Sequence, residues 1–357
     1  MTDETINIEG AVCAPPLPHD EQIVMGHGAG GRMSQRLIRQ AFVSAFSNPA
    51  LNAGDDAALV APESGKLSIS VDSHVVFPLF FPGGDIGKLA VCGTVNDVAM
   101  LGAKPLYLTA GFILEEGLPM ETLKRVVESM RAAAEEAGVQ IVAGDTKVVQ
   151  RGKADGLYIT TSGVGLVREG VHIGGANAKP GDAVILSGSI GDHGIAVLGA
   201  RGELGFESSI QSDVAPLNRL IEAMLEASHN IRVLRDPTRG GLATVAHEIA
   251  RATGFNVMLE QARVPVRDEV RSVCDMLGYD PYFLACEGRV VAVVKSDAAD
   301  AILQAWQALP NGVHAALIGR IEPGKSQVVL ETELGGRRLL DELVGLYDEP
   351  PADSSSL

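Results

Sequence analysis

Val139-Gln140-Ile141-Val142-Ala143-Gly144-Asp145-Thr146-Lys147 is the stretch that decides the fold. Its first half is a short, largely apolar run and reads as a buried strand. Gly144-Asp145-Thr146-Lys147 then stands at the carboxyl end, where α/β proteins gather ligands. Just upstream, Leu123, Val126, Val127, Met130 and Ala134 recur on one face of a helix over residues 121–137, and Gly138 supplies its stop. A further strand over 157–167 completes one α/β unit. A strand-end aspartate beside a lysine suits Mg²⁺ and phosphate, with the lysine as a charge partner or a base. The plainer alternative is a β-turn with a solvated lysine.

Three other segments repeat the theme of acids beside small or polar residues: Gly54-Asp55-Asp56, Val71-Asp72-Ser73 and Val95-Asn96-Asp97. Gathered carboxylates repel one another unless a cation sits among them, and Mg²⁺ carrying a polyphosphate is the usual one. Leu67, Ile69 and Val71 alternate with Ser68 and Ser70, which predicts a half-buried strand ending at Asp72. Residues 86–101 read as a helix of small apolar residues that contains Asp97. A lone carboxylate buried there needs a metal, a lysine or a ligand beside it. Asp55 and Asp56, taken alone, suit a surface turn.

Ahead of these lies Gly26-His27-Gly28-Ala29-Gly30-Gly31-Arg32, followed by a helix with Leu37, Ile38, Ala41, Phe42 and Ala45 on one stripe. Its N–H groups can wrap phosphates and hand them to the helix N-terminus. The GK[ST] ending of a Walker A loop is missing, so a plain flexible loop fits equally.

The composition is that of an ordinary globular protein, 357 residues long with 46% hydrophobic and 21% charged content, enough for two domains. A net charge of −16 argues against nucleic acid as a partner. Mg-ATP remains compatible, because the metal sits between carboxylate and phosphate. Cys13, Cys92, Cys274 and Cys286 form no CxxC pair, and they predict neither a zinc site nor a disulfide framework. No signal peptide and no membrane span is expected, which makes a cytoplasmic location the expectation.

The turn cluster Asn177-Ala178-Lys179-Pro180-Gly181-Asp182 marks the domain boundary. The expected division is a flexible arm over 1–22, an N-terminal domain over 23–176, a C-terminal α/β domain over 177–346 and a flexible tail over 347–357. In the second domain, strands are predicted at 183–187, 256–260, 283–294 and 315–331, a loop at Gly191-Asp192-His193-Gly194, and helices at 214–227, 242–252, 267–277 and 297–309. Arg235-Asp236-Pro237-Thr238-Arg239-Gly240-Gly241 places Thr238 and Arg239 at a helix start suited to an oxyanion. An ordinary capped helix, with Asp236 paired to an arginine, is the alternative. Glu287-Gly288 interrupts the apolar 283–294 segment, as a bulge or as a tuned acid/base.

In this order the segments resemble the hydrogenase-maturation carbamoyl dehydratases of the HypE family, within the aminoimidazole ribonucleotide synthetase-like superfamily. The resemblance is carried by His27-Gly28-Ala29-Gly30-Gly31-Arg32, the runs Phe80 to Asp97 and Gly111 to Pro119, Gly144 to Lys147, Gly191 to Gly194 and Arg235 to Gly241. It implies an α/β (α+β) protein of two domains. N-terminal sheets would pair in a homodimer, and the C-terminal domain would form an α/β sandwich. Family members carry a carbamoyl group on a C-terminal cysteine thiol, phosphorylate its oxygen with ATP and eliminate phosphate to leave a thiocyanate. The cyano group then passes to the iron of a [NiFe]-hydrogenase precursor. By this resemblance Asp55, Asp56, Asp72, Asp97 and Asp145 would hold Mg²⁺. His27, Gly28, Gly30, Gly31, Asn96, Thr146, Thr238 and Arg239 would hold ATP. Lys147 and Glu287 would be the acid/base pair. A carbamoyltransferase and an iron-carrying scaffold complex are the implied partners.

The family's tail ends Pro-Arg-aliphatic-Cys, whereas the present sequence reads Pro351-Ala352-Asp353-Ser354-Ser355-Ser356-Leu357, and its last cysteine is Cys286. Serine cannot take over, since a carbamate ester would yield a cyanate ester. Cys286 is then either a substitute thiol or a buried packing residue. Two other readings stay open: a paralogue that activates an oxygen of a free small molecule, and a non-catalytic ATP-binding maturation partner.

Overall fold

The computed structural model describes residues 21–24, 27, 36–48, 65–206 and 208–341. Gly28, Gly30, Gly31, Asp55, Asp56 and the tail lie outside them.

Among the described residues, the N-terminal domain is a four-stranded sheet with helices on one face only. Its strands are β1 (Lys66–His74), β4 (Ala103–Glu115), β5 (Gln140–Val149) and β6 (Leu157–Val167), in the order β1-β6-β4-β5. A two-stranded ribbon, β2 (Phe80–Phe81) and β3 (Gly84–Asp85), precedes the first helix. Strands β4 and β5 are parallel because helix α2 (Met120–Ala137) crosses between them; the other pairs are antiparallel. In α2 the predicted stripe is the buried one, with Leu123, Val126 and Met130 shut from solvent, each contributing roughly 1.5–3 kcal/mol. Gly138 ends the helix at φ 71°, a left-handed turn that glycine adopts without strain.

Helix α1 (Ile86–Ala99) is buried almost all round. Asp85 caps it, accepting from the Gly87 and Lys88 N–H groups at 2.7 and 3.1 Å. One side of α1 lies on β6, where Gly163 and Gly165 leave room: a Cβ on either would come within 2.7 Å of Thr94 or Val98. Its other side meets the second domain, with Ala99 and Met100 sharing a core with Leu217, Leu220 and Trp306.

The expected facing of β1 is reversed. Ser68 is buried and donates to the Val98 carbonyl at 3.1 Å, while Ile69 and Val71 are 70% and 65% exposed. The serines satisfy groups on the closely seated helix, so the apolar side of the strand is left on the bare outer face of the sheet.

The second domain is a seven-stranded mixed sheet between two helical layers. Its strands are β7 (Ala183–Leu186), β8 (Ile231–Arg235), β9 (Asn256–Glu260), β10 (Val291–Val294), β11 (Ala316–Glu322), β12 (Val328–Glu331) and β13 (Arg337–Leu339), ordered β13-β12-β9-β11-β7-β10-β8. Val184 and Leu186 enter one core with Leu242 and Ile249; Ala183 and Ile185 enter the other with Ile302 and Trp306. A strand buried on both faces is the α/β sandwich expected from the sequence. The helices are α3 (Asp192–Ala200), α4 (Asn218–Ala227), α5 (Gly241–Thr253), α6 (Asp268–Leu277) and α7 (Ala299–Gln307).

Several predicted boundaries change. Asp192 and His193 open α3 and are not a loop. Residues 283–290 are not strand: Pro281–Phe283 is a short 3₁₀ turn, and β10 begins only at Val291. The 315–331 segment is two strands. In the first helical stretch, Ile38–Val43 is wound as a π-helix. No helix among the described residues is long and apolar enough to cross a membrane.

Candidate functional site

Two pockets hold the described candidates other than Asn96, at opposite edges of the N-terminal sheet. The first, about 250 Å³, lies beside β5. Phe42, Phe46, Phe112 and Ile141 form its apolar wall, with the Phe42 and Phe112 rings 4.8 Å apart. His27 lines it as well, and its Nδ1 accepts from the Val24 N–H at 3.0 Å. Gly144 to Lys147 form the rim. Here the strand-end premise fails, because β5 runs on to Val149 and the tetrapeptide sits within it. Gly144 is required there: a Cβ would lie 2.6 Å from the Ala110 carbonyl oxygen of β4. Alternation turns Thr146 to the covered face beside Phe112, and Asp145 and Lys147 to the outer face. Lys147 Nζ lies 3.1 Å from Asp145 Oδ2, and this hydrogen-bonded pair lowers the Asp145 pKa. Exposed and ion-paired, Lys147 offers its charge to an anion at the rim, and the ion pair argues against the base role expected for it. Apolar and aromatic walls beneath a charged rim suit a nucleotide.

The second pocket, about 240 Å³, is the cleft between α1 and the second domain. Asp72, Asp97, Asp236 and Glu287 line it together with His74, His193, Thr238 and Arg239. Burial raises the pKa of Asp97, and the Ser70 hydroxyl, donating at 2.8 Å, only partly offsets this. That hydroxyl is one polar partner of the kind a buried carboxylate requires. Burial, with Asp97 close by, lifts Asp236 to about 7. Its neighbour Arg235 pairs instead with Glu248, at 3.6 Å. Glu287 is pushed well above the carboxylate range, first by burial and then by Asp213, Asp236, Asp72 and Asp97. Burial pulls His193 down to about 4, and its Nδ1 lies 2.9 Å from Ser212 Oγ. The cleft thus gathers carboxyls whose pKa values are raised by burial with an imidazole that stays neutral at neutral pH, an arrangement suited to proton transfer.

Two expectations are corrected here. Among the described metal candidates, Asp72 and Asp97 share the cleft, and Asp145 does not join them within one chain. Asp72 and Gly144 occupy one row on the two edge strands, about 14 Å apart at the usual strand spacing. Asp72 lies over α1, while Asp145 points to the other face. Among the described residues no group of three or more His, Cys, Asp or Glu is set to hold a metal. Asn96 does not face a nucleotide either. It is 1% exposed and spends its amide on main chain, donating to the Ala215 and Glu287 carbonyls at 3.2 and 3.4 Å and accepting from the Leu217 N–H at 2.8 Å.

Cys286 is 0% exposed and its thiol is pushed well above its ordinary pKa by burial, so it is no substitute acceptor. Cys92 and Cys274 are buried too. His74, His193 and Asp236 were missed from sequence. His193 and Asp236 lie inside motifs quoted from the sequence, and His74 two residues after Asp72, but nothing in their spacing shows that the fold turns them into one cleft.

Comparison with known proteins agrees with this architecture. Residues 54–167 match the model for the N-terminal domain of AIR synthase related proteins, and residues 179–331 the model for their C-terminal domain. Carbamoyl dehydratase HypE of Cupriavidus necator is 53% identical over 326 residues, covering 91% of this chain and 93% of that protein. The Escherichia coli K12 enzyme of the same name is 47% identical, covering 89% and 96%. Among solved structures, hydrogenase maturation protein HypE in complex with ATP superposes with a TM-score of 0.87 at 49% identity, covering 91% of this chain and 98% of the other. A HypE–HypF complex gives 0.77 at 50%, covering 86% and 99%.

Proposed function

The chain belongs to the AIR synthase related family, among the HypE carbamoyl dehydratases, and from that membership we propose that it is an ATP-dependent carbamoyl dehydratase of hydrogenase maturation. The substrate is a cysteine S-carboxamide and the product a thiocyanate, the source of cyanide ligands for iron. The observation that carries this reading is the cleft itself, where Glu287, its pKa raised well above the carboxylate range by burial, shares one pocket with neutral His193.

The pocket beside β5 fits ATP, with Phe42, Phe46 and Phe112 for the base, and Thr146, Lys147 and His27 toward the phosphates. ATP supplies the phosphoryl group that turns the amide oxygen into a leaving group. For Mg²⁺, Asp145 is the described carboxylate at that rim; Asp72 and Asp97 belong to the cleft. In the cleft, protonated Glu287 can hydrogen-bond the carboxamide and orient it. The nitrogen gives up one proton as its carbonyl oxygen is phosphorylated, which neutral His193 can accept, and the second as the triple bond forms, which the departing phosphate can carry off. Thr238 and Arg239, beside the N-terminus of α5, are placed to hold the departing oxyanion.

We further propose a homodimer in which a second copy covers the bare outer face of the N-terminal sheet. The exposed Leu67, Ile69 and Val71 support it. A two-fold axis along the strands would set β5 of one copy over β1 of the other, bringing Asp145 and Lys147 toward the Asp72 edge. A carbamoyltransferase must supply the carbamoyl group, and an iron-carrying scaffold must take the cyanide. The cytoplasm is the proposed location.

The test supplies the acceptor thiol in trans. A peptide ending Pro-Arg-Ile-Cys, carbamoylated on sulfur, is incubated with the protein and Mg-ATP and weighed by mass spectrometry. Loss of one water from the peptide, dependent on ATP, is expected. ATP hydrolysis with the peptide unchanged would overturn this reading in favour of a free small-molecule substrate.

A further inference from the structure

Glu287 sits on a stretch of main chain fastened on several sides. Cys286 N–H donates to the Pro237 carbonyl at 2.9 Å, tying the loop to the segment that carries Asp236 and Thr238. The Glu287 carbonyl accepts from Asn96 and, at 3.4 Å, from the Ala215 N–H. Beneath it lies Asp213, whose side chain is fully buried. Asp213 Oδ1 accepts the Glu287 N–H at 3.0 Å, and Oδ2 lies 3.4 Å from Arg289 Nε. The two strands of chain touch so closely that a Cβ on Gly288 would stand 1.8 Å from the Asp213 carbonyl oxygen.

Arg289 is itself held, donating from Nε to the Ser189 carbonyl at 2.7 Å and from Nη1 to the Gly288 carbonyl at 3.1 Å, with Nη2 3.4 Å from Asp192 Oδ2. Burying such a charged group is expensive, and well-packed apolar side chains would fill the space at lower cost. What apolar packing cannot do is fix a particular N–H group in direction. The fixed N–H here belongs to the residue that carries the cleft's central carboxyl.

We infer that Asp213 is a positioning residue for Glu287: clamped by Arg289, it grips the Glu287 N–H from beneath and so aims that side chain into the cleft. This inference rests on the proposed role of Glu287 in the dehydration.

The test uses the full chain, the carbamoylated peptide and Mg-ATP. Asp213→Ala is expected to lower kcat by about tenfold to a hundredfold, the scale of a misplacement of about 1 Å, with the KM for ATP unchanged. Asp213→Asn, which keeps an acceptor oxygen, should recover most of that loss. In a Glu287→Gln background, Asp213→Ala should cost nothing further, because its effect passes through Glu287. Wild-type turnover in Asp213→Ala, no recovery in Asp213→Asn, or a full second loss in the double variant would each overturn the inference. Full activity of Glu287→Gln alone would instead overturn the role of Glu287. Should Asp213→Ala fail to fold, Asp213→Glu carries the test. It keeps the Arg289 partner but displaces the carboxylate by one methylene, and it is expected to lower kcat; wild-type turnover there sinks the inference.

Discussion

Asn96, in the last turn of α1, donates its side-chain amide to the carbonyl of Glu287 across the seam between the two domains, at 3.4 Å. The same amide group bonds Ala215 and Leu217. One side chain thus couples the position of the cleft carboxyl to the docking of the domains. Asn96→Ala leaves the Leu217 N–H without a partner, a cost of about 1–3 kcal/mol. Urea unfolding should show that loss and turnover should fall, while the ATP affinity of the isolated pocket beside β5 stays as it was. A stability equal to wild type would remove Asn96 from this role.

The acids of the cleft give the protein a pH-dependent stability of calculable sign. Asp236 goes from 3.8 in the unfolded chain to about 7 when folded. The folded state therefore holds a proton the unfolded one releases. Its favourable contribution is complete below pH 4 and fades as pH rises toward 7. Asp236→Asn should be more stable than wild type at pH 8, by on the order of 2–4 kcal/mol, and equal to it near pH 4. Thermal melts across that range decide it; parallel curves for the two proteins would refute the shift.

Lys147 is 69% exposed, and its removal should leave the melting temperature within a degree or two of wild type. Its place at the pocket rim predicts a different loss. Lys147→Ala should raise the KM for ATP about tenfold, in line with one lost charge-assisted contact. An unchanged KM with lower kcat would return to Lys147 the base role that its ion pair argues against.

Ile69→Lys and Val71→Lys put charge on the bare face of β1 while sparing the buried Ser68 side of the strand. Light scattering after gel filtration should find monomers for the double variant and dimers for wild type. Persistent dimers would place the second copy elsewhere.

Much of the fold can be read in the sequence wherever one period dominates. The α2 stripe from Leu123 to Ala134 is an example. Where two surfaces compete for one strand, local pattern fails. Ser68 and Ser70 look solvent-facing until α1 is seated on Gly163 and Gly165 and offers a carbonyl and a carboxylate to bond. The site divides the same way. Asp72, Asp97 and Glu287 stand out as acids in apolar text, and the structure brings them to one cleft. Asp145 belongs elsewhere because a two-residue period and a four-strand width separate it from them. Asn96 reads as a polar ligand from sequence alone, since only the packing of residues 213–217 shows that its amide is already spent.

The sealed thiols make the described residues transparent to sulfur chemistry. Cys92, Cys274 and Cys286 offer nothing to an alkylating reagent while the fold holds; Cys13 lies outside the described residues, and a Cys13→Ser variant removes its thiol. An acceptor cysteine brought to the cleft carries no free thiol while carbamoylated or cyanylated, and regains one when the cyano group has left. In that variant, thiol-selective labelling of the native protein would report the unloading of the acceptor and not its host.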